Sequence, residues 1–245
     1  MSLKLFELKD GAIIIADAHY SVQRPKLLKL LKFVLFNKIE ATQLILMGDI
    51  FDILFGPISL TYQRNKELVE TINMIAKKID VLYLEGNHDF SIKKYFPDID
   101  VVPLNKQPLH VRYKKQNILL AHGDFASEIK YQIYTTLIRS RIVLSILGLI
   151  DSLSSHSIIN WLDKYLSKKD DCREIKHFER IVENKIEKNN FDEYDMLIEG
   201  HFHQNKIYEY KNFKYINLAA FACNERYFVV KSEQELLELE EFQFR

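Results

Sequence analysis

Short aliphatic runs recur along the chain, and five of them end in a small cluster of polar residues. Ile13-Ile14-Ile15-Ala16 leads into Asp17 and His19, Leu44-Ile45-Leu46-Met47 into Gly48-Asp49, and Val81-Leu82-Tyr83-Leu84 into Gly86-Asn87-His88-Asp89. Ile118-Leu119-Leu120-Ala121 leads into His122-Gly123-Asp124, and Met196-Leu197-Ile198 into Gly200-His201-Phe202-His203. Unbroken runs of this length read as strands buried on both faces, with the polar residues at their C-terminal ends. Between the first three runs the apolar period changes to three and four. Leu27, Leu28, Leu31, Val34 and Leu35 predict a helix within 24–38, with Pro25 in its first turn, and Leu68, Val69, Ile72 and Ile75 predict one within 65–78. This alternation predicts a parallel βαβ start with right-handed crossovers, and places any chemistry at the strand ends.

The second half of the chain changes pattern. Residues 109–113 and 118–121 flank a polar turn, as do 207–210 and 215–218, and both pairs predict hairpins. Residues 227–230 predict a further strand, and Ser232 with Glu235 predicts a capping box before a final acidic helix. A mixed or two-sheet α/β fold accommodates these elements better than a wholly parallel sheet.

Residues 125–169 stand apart. Tyr131 and Tyr134, then Ile138, Ile142, Val143, Ile146 and Ile150, are followed by Ile158, Ile159, Trp161, Leu162 and Tyr165, so the segment reads as a helical insertion over the strand ends. Lys130, Arg139, Arg141, Lys164, Lys168 and Lys169 outnumber Glu128, Asp151 and Asp163, which makes it locally basic. One reading is a helical pair buried against the core, with Trp161 inside it. The other is a lid or groove for an amphiphilic substrate, touching a membrane, with Trp161 as an interfacial anchor. This many apolar residues, if they line a cleft, can hold acyl chains at about 0.8 kcal/mol per buried methylene.

Composition narrows the class. The 245 residues suffice for one domain that includes the insertion, and 47% hydrophobic with 28% charged residues are the proportions of a folded chain, not a disordered one. Lys plus Arg and Asp plus Glu number 34 each, so no global charge attracts nucleic acid, and neither a nucleic-acid nor a protein partner is expected. Residues 1–10 lack the apolar run of a signal peptide, and residues 142–150 are too few to cross a bilayer. A cytoplasmic protein, peripheral on a membrane at most, is the expectation. Cys172 and Cys223 fit a reducing compartment and read as packing residues. Residues 170–195 mix acids with bases and predict a solvated helix and loop.

Five of the eight histidines, His19, His88, His122, His201 and His203, fall at the predicted strand ends together with Asp17, Asp49, Asp52, Asn87, Asp89 and Asp124. Any one of them alone reads as a loop cap. Gathering so many ionisable groups is costly unless positive charge is held among them. Mixed carboxylate and imidazole donors suit divalent Mn, Fe or Zn, and their number exceeds the need of one ion. Two ions about 4 Å apart would bind phosphate oxygens and acidify an attacking water.

The ordered set Asp17-x-His19, Gly48-Asp49-x-x-Asp52, Gly86-Asn87-His88-Asp89, His122-Gly123-Asp124 and Gly200-His201-x-His203 resembles the calcineurin-like metallophosphoesterase superfamily. The resemblance implies a four-layer αββα sandwich with a helical cap insertion and a two-metal hydrolase, most simply with two manganese ions. It further implies that Asp17, His19, Asp49 and His203 hold one ion and Asp49, Asn87, His122 and His201 the other. His88 would stabilise developing charge or protonate the leaving oxygen, and Asp52, Asp89 and Asp124 would orient the ligands from behind. Within the superfamily the chain is most similar to the UDP-2,3-diacylglucosamine diphosphatases of the lipid A pathway, through Gly48-Asp49-Ile50-Phe51-Asp52 with Gly56 and through Tyr131-Gln132 opening a basic, apolar insertion. That likeness implies a nucleotide-linked lipid substrate gripped by Asn87, His88, Tyr131, Lys168, Arg173 and Lys176. It departs at His88, where that group commonly carries Arg, which keeps another nucleotide or phosphoester open as the substrate. A non-catalytic binding module is the remaining alternative.

Overall fold

Residues 5–125, 138–169 and 171–245 are described by the computed structural model. The strands are β1 Phe6–Glu7, β2 Ala12–Ile15, β3 Gln43–Leu46, β4 Leu54–Phe55, β5 Asp80–Leu84, β6 Asp89–Phe90 and β7 Asp100–Val102, then β8 Leu109–Tyr113, β9 Gln116–Ala121, β10 Met196–Glu199, β11 Lys206–Tyr210, β12 Phe213–Asn217, β13 Arg226–Glu233 and β14 Leu236–Gln243. Helices α1, Lys26–Leu35, and α2, Ser59–Ala76, follow β2 and β4. Pro25 caps α1 from outside its first turn.

Two six-stranded sheets carry the fold, in the orders β14-β13-β2-β3-β5-β7 and β1-β8-β9-β10-β12-β11. Strands β2, β3, β5 and β7 run parallel, as the βαβ start requires, and β9, β10 and β12 are parallel in the other sheet. Side chains alternate across each strand. Ile13 and Ile15 face α1 and α2, with Leu27, Leu31, Leu68 and Ile72. Ala12 and Ile14 face inward and meet Ile118, Leu120 and Ile198 of the second sheet. Leu119, Leu197 and Tyr215 face outward from that sheet, against Phe178 and Val182 of helix Phe178–Lys188. The layers are therefore helix, sheet, sheet, helix, and each fully buried Leu or Ile contributes roughly 1.5–3 kcal/mol.

Two predicted elements differ. Residues 236–243 are a strand rather than an acidic helix: β14 pairs antiparallel with β13, and Gln234 and Glu235 form the turn with φ of 47° and 69°. Leu237 and Leu239 alternate inward onto the inter-sheet core, a burial that outweighs the helical propensity of the Glu-rich run. The insertion forms helices Arg141–Leu153 and Ser157–Leu166, turned 104° from one another. Among the described apolar side chains of this pair only Leu144 and Ile159 are buried, in a small cluster with Ile58 and Phe90. Trp161 is 64% exposed and stacks on Tyr165, so it lies outside any cap core.

Candidate metal centre

All five polar clusters lie where the parallel strands end, and their backbones leave the strands abruptly. Asp17, His19, Asp49, His201 and His203 each adopt positive φ, between 43° and 64°. Non-glycine residues hold such conformations only where the surroundings over-determine them. The neighbouring glycines supply that constraint by interlocking one cluster with the next. A β-carbon on Gly48 would lie 2.6 Å from His122 Nδ1, and one on Gly200 would lie 2.3 Å from Asp17 Oδ2.

Two groups of donors result. Asp17, His19 and His203 bring one ligand atom each to within 4.8 Å of one another, and Asp49, His122 and His201 do the same. Asn87 joins the second group, its Oδ1 lying 3.2 Å from His122 Nε2. His19, Asp52 and His88 form a third grouping, with the His19 and His88 rings 4.8 Å apart. Three imidazoles are oriented alike. His88 Nδ1 lies 2.8 Å from the Asp52 carbonyl and His122 Nδ1 3.1 Å from that of Met47, while His203 Nδ1 contacts the carbonyl of Asp171. A carbonyl only accepts, so each Nδ1 carries the proton and each Nε2 is left for a ligand. His19 is 1% exposed and neither of its ring nitrogens makes a hydrogen bond, although Asp52 Oδ1 lies 3.3 Å from Nδ1, and a buried imidazole left so fits a cation.

The charges are mutually adjusted. Burial alone would raise the Asp49 carboxyl, yet His122 and His88 hold it well below the usual carboxylate range. Asp17 is likewise lowered, against its burial, by His203 and His122. Burial and the neighbouring His122 push His201 down to about 4, which keeps it neutral and ready to ligate. Burial lowers His88 despite the pull of Asp49. Asp89 is raised to about 7 by burial and by Asp49, and it accepts hydrogen bonds from the amides of Asp49, Ile50 and Gly86 and from Tyr83 Oη. It thereby pins the Asp49 and Asn87 loops together.

Around this centre the expected substrate residues divide. Arg173 and Lys176 line a cavity of ≈ 480 Å³ beside His201 and His203, together with Lys169. Lys168 is exposed and does not line it. Tyr131 lies outside the described residues. Two residues escaped the sequence reading. Arg139, 13% exposed, donates from Nη2 to the Gly86 carbonyl at 3.0 Å and to Asp124 Oδ2 at 3.2 Å, tying the cap to two of the clusters. The only signal for it was the basic excess of the insertion. Lys185 is buried, with Nζ 2.8 Å from both oxygens of Glu199 and 2.9 Å from the Gly123 carbonyl. Its place in a charged amphipathic run concealed it. The two cysteines are also corrected: Cys172 and Cys223 are bonded to each other, with Cα atoms 5.6 Å apart. The chain after the cap folds back onto helix Phe221–Asn224, and a separation of 51 residues hides that approach from the sequence.

Layered sheets that bring paired carboxylate and imidazole groups to one end define a metal-dependent phosphohydrolase. The chain matches the family profile described as Calcineurin-like phosphoesterase over residues 12–205. It belongs to that family, whose members use divalent metals, and is a hydrolase of phosphoester or anhydride bonds. It is 27% identical over 230 residues to the UDP-2,3-diacylglucosamine hydrolase of Wigglesworthia glossinidia brevipalpis, with 84% of each chain covered. The protein of that name in Psychromonas ingrahamii is 24% identical over 206 residues, covering 80% of this chain and 82% of the relative. The match to that of Hamiltonella defensa is 28% identical and spans about half of either chain, 54% and 53%. Among solved structures, an archaeal phosphodiesterase superposes with a TM-score of 0.48 at 14% identity, covering 95% of this chain and 99% of that one.

Proposed function

We propose that the protein hydrolyses the pyrophosphate bond of UDP-2,3-diacylglucosamine to 2,3-diacylglucosamine 1-phosphate, lipid X, and UMP. The names of its relatives support this substrate, and the observation that carries it is the cap. Lys169, Arg173 and Lys176, with Asp171 and Glu174, line the cavity at His201 and His203, and the cap turns an apolar stripe outward: Ile142, Ile146, Leu149 and Leu153 follow at helical spacing, from 54% to 79% exposed. A substrate with a nucleotide at one end and acyl chains at the other needs a polar and an apolar surface side by side. The stripe and the basic residues of the cap would also seat the protein on the anionic cytoplasmic face of the inner membrane.

Two divalent ions, manganese in this reading with iron or zinc as substitutes, would polarise the phosphate oxygens and acidify the attacking water. Asp17, His19 and His203 would hold one and Asn87, His122 and His201 the other, with Asp49 shared. Lys169, Arg173 and Lys176 would neutralise and orient the phosphates. His88 gives its Nδ1 proton to the Asp52 carbonyl, so Nε2 is the atom that takes up and returns a proton. Burial keeps the ring neutral at rest, and an adjacent phosphate favours its protonated form, which then donates to the leaving oxygen. Asp52, Asp89 and Asp124 hold this apparatus from behind, Asp124 through Arg139.

The test is turnover of UDP-2,3-diacylglucosamine by the Mn²⁺-loaded protein, with UMP and phosphate measured separately and Asp49→Asn as control. UMP release that disappears in the control is the expected result. No release by fully metallated protein would reject this substrate in favour of another nucleotide or phosphoester.

A further inference from the structure

Asp17 and His203, which share one donor group, are joined behind the site by a closed circuit of contacts that runs through the Cys172–Cys223 disulfide. His203 gives its Nδ1 proton to the carbonyl of Asp171, the residue before Cys172. Across the disulfide, Cys223 sits in helix Phe221–Asn224, where Phe221 N–H donates to the Ala16 carbonyl at 2.9 Å and Ala222 N–H to the Asp17 carbonyl at 3.0 Å. The circuit closes where His203 Nε2 lies 3.2 Å from Asp17 Oδ1. The segment 171–177 contains no helix or strand, so its tethers set its place. Besides the disulfide these are polar contacts, Arg24 with the Asp171 carboxylate at 3.0 Å and Gln204 with Ile175 N–H at 2.7 Å and with the Arg173 carbonyl at 3.2 Å, and the packing of the half-buried Ile175 side chain near Phe178.

We propose that the Cys172–Cys223 disulfide is a positioning element for the Asp17, His19 and His203 metal position, so that cation affinity there depends on the thiol redox state. The inference rests on reading that donor group as a metal site. A ligating imidazole binds well only while the acceptor on its other nitrogen holds it in place. For His203 that acceptor is a carbonyl on an irregular segment, one residue from the disulfide. The second donor group is built differently. His122 leans on the Met47 carbonyl, directly after core strand β3, and the Asp49 N–H on the buried Asp89 carboxylate, while His201 meets the circuit through its own N–H on the Asp17 carboxylate. Breaking the S–S bond adds two electrons and two protons and leaves two thiols. A water-soluble phosphine accomplishes this by taking oxygen from water and becoming the phosphine oxide. The freed segment would also carry Arg173 and Lys176 away from the cavity wall.

The experiment titrates metal-stripped protein with Mn²⁺, following free Mn²⁺ by electron paramagnetic resonance. One sample is oxidised, and the other is phosphine-reduced and desalted under argon. Two sites are expected in the oxidised protein. Reduction should weaken one of them by about 10- to 100-fold and leave the other unchanged, which also reports that the fold is intact. Cys172→Ser/Cys223→Ser should show the reduced protein's affinities and no response to phosphine. Equal affinities in the oxidised and reduced forms would overturn the proposal, as would thiol titration that finds both cysteines free in aerobically purified protein. Absence of Mn²⁺ binding from both forms would overturn the metal-site reading itself, and this proposal with it.

Discussion

Gly86 packs so closely on Asp49 that a β-carbon added to it would lie 2.1 Å from Asp49 Oδ1 and 2.4 Å from the Asp49 backbone nitrogen. The contact couples two loops that contribute to the same donor group, and only a hydrogen fits at that place. Gly86→Ala must therefore displace the Asp49 main chain, at a cost of about 1–3 kcal/mol. We expect a folded protein whose bound-metal content falls and whose turnover drops about 100-fold, since displacements near 1 Å in an active site have that effect. Metal analysis together with kcat on any accepted phosphoester checks this, and wild-type values for both would refute the arrangement.

His203 gives a pH dependence with opposite signs for stability and for metal binding. Burial works to lower this imidazole, but the Asp17 carboxylate more than compensates and lifts it to about 8. A histidine raised above its unfolded value of about 6.5 adds stability that is complete below that pH and is lost as pH climbs through 8. Metal-free protein should therefore lose stability across that window. Cation affinity should rise over the same range, because the ring must release its proton to ligate. Calorimetric titration in buffers of different ionisation enthalpy at pH 7 should register about one proton released per ion bound at this site.

Lys185 and Glu199 form a buried pair beneath the loops that carry His122 and His201. Burial raises the Glu199 carboxyl even with Lys185 against it, so removing the ammonium leaves a costly group behind. Lys185→Met should lower unfolding free energy by about 3–5 kcal/mol, and the double change with Glu199→Gln should recover most of that loss. Urea unfolding of the three proteins measures it. A single variant as stable as the parent would show that the pair is immaterial.

The outward stripe of the cap predicts a separation of stability from lipid contact. Ile146 and Leu153 are 54% and 79% exposed, so replacing both by Glu removes little packing. Binding to anionic phospholipid vesicles should weaken at least about tenfold, given roughly 1.5–3 kcal/mol for each such side chain buried in lipid. Thermal unfolding should move by no more than a few degrees. Undiminished vesicle binding would sink the membrane assignment.

Much of the architecture was legible because its signals are local. A strand buried on both faces is an unbroken aliphatic run, and its end is marked wherever a polar residue must meet solvent or a ligand, as at Ala16-Asp17 or Ala121-His122. Strand β14 was illegible for the converse reason. Leu237 is buried only because β13 presents it to the inter-sheet core, and nothing within residues 236–243 announces that partner. Arg139 and Lys185 have the same character, each being an ordinary surface cation until a distant backbone carbonyl defines its place.

The sequence by itself determined the kinds of donors, their order along the chain and their location at strand ends, since residue type and hydrophobic period are local properties. Only the tertiary structure decided which donors meet. Asp17, at the end of β2, joins His203, which follows β10 in the other sheet, and Cys172 finds Cys223 behind them. Those meetings depend on sheet order and on the packing of one sheet against the other, set by the whole hydrophobic core rather than by any single stretch of chain.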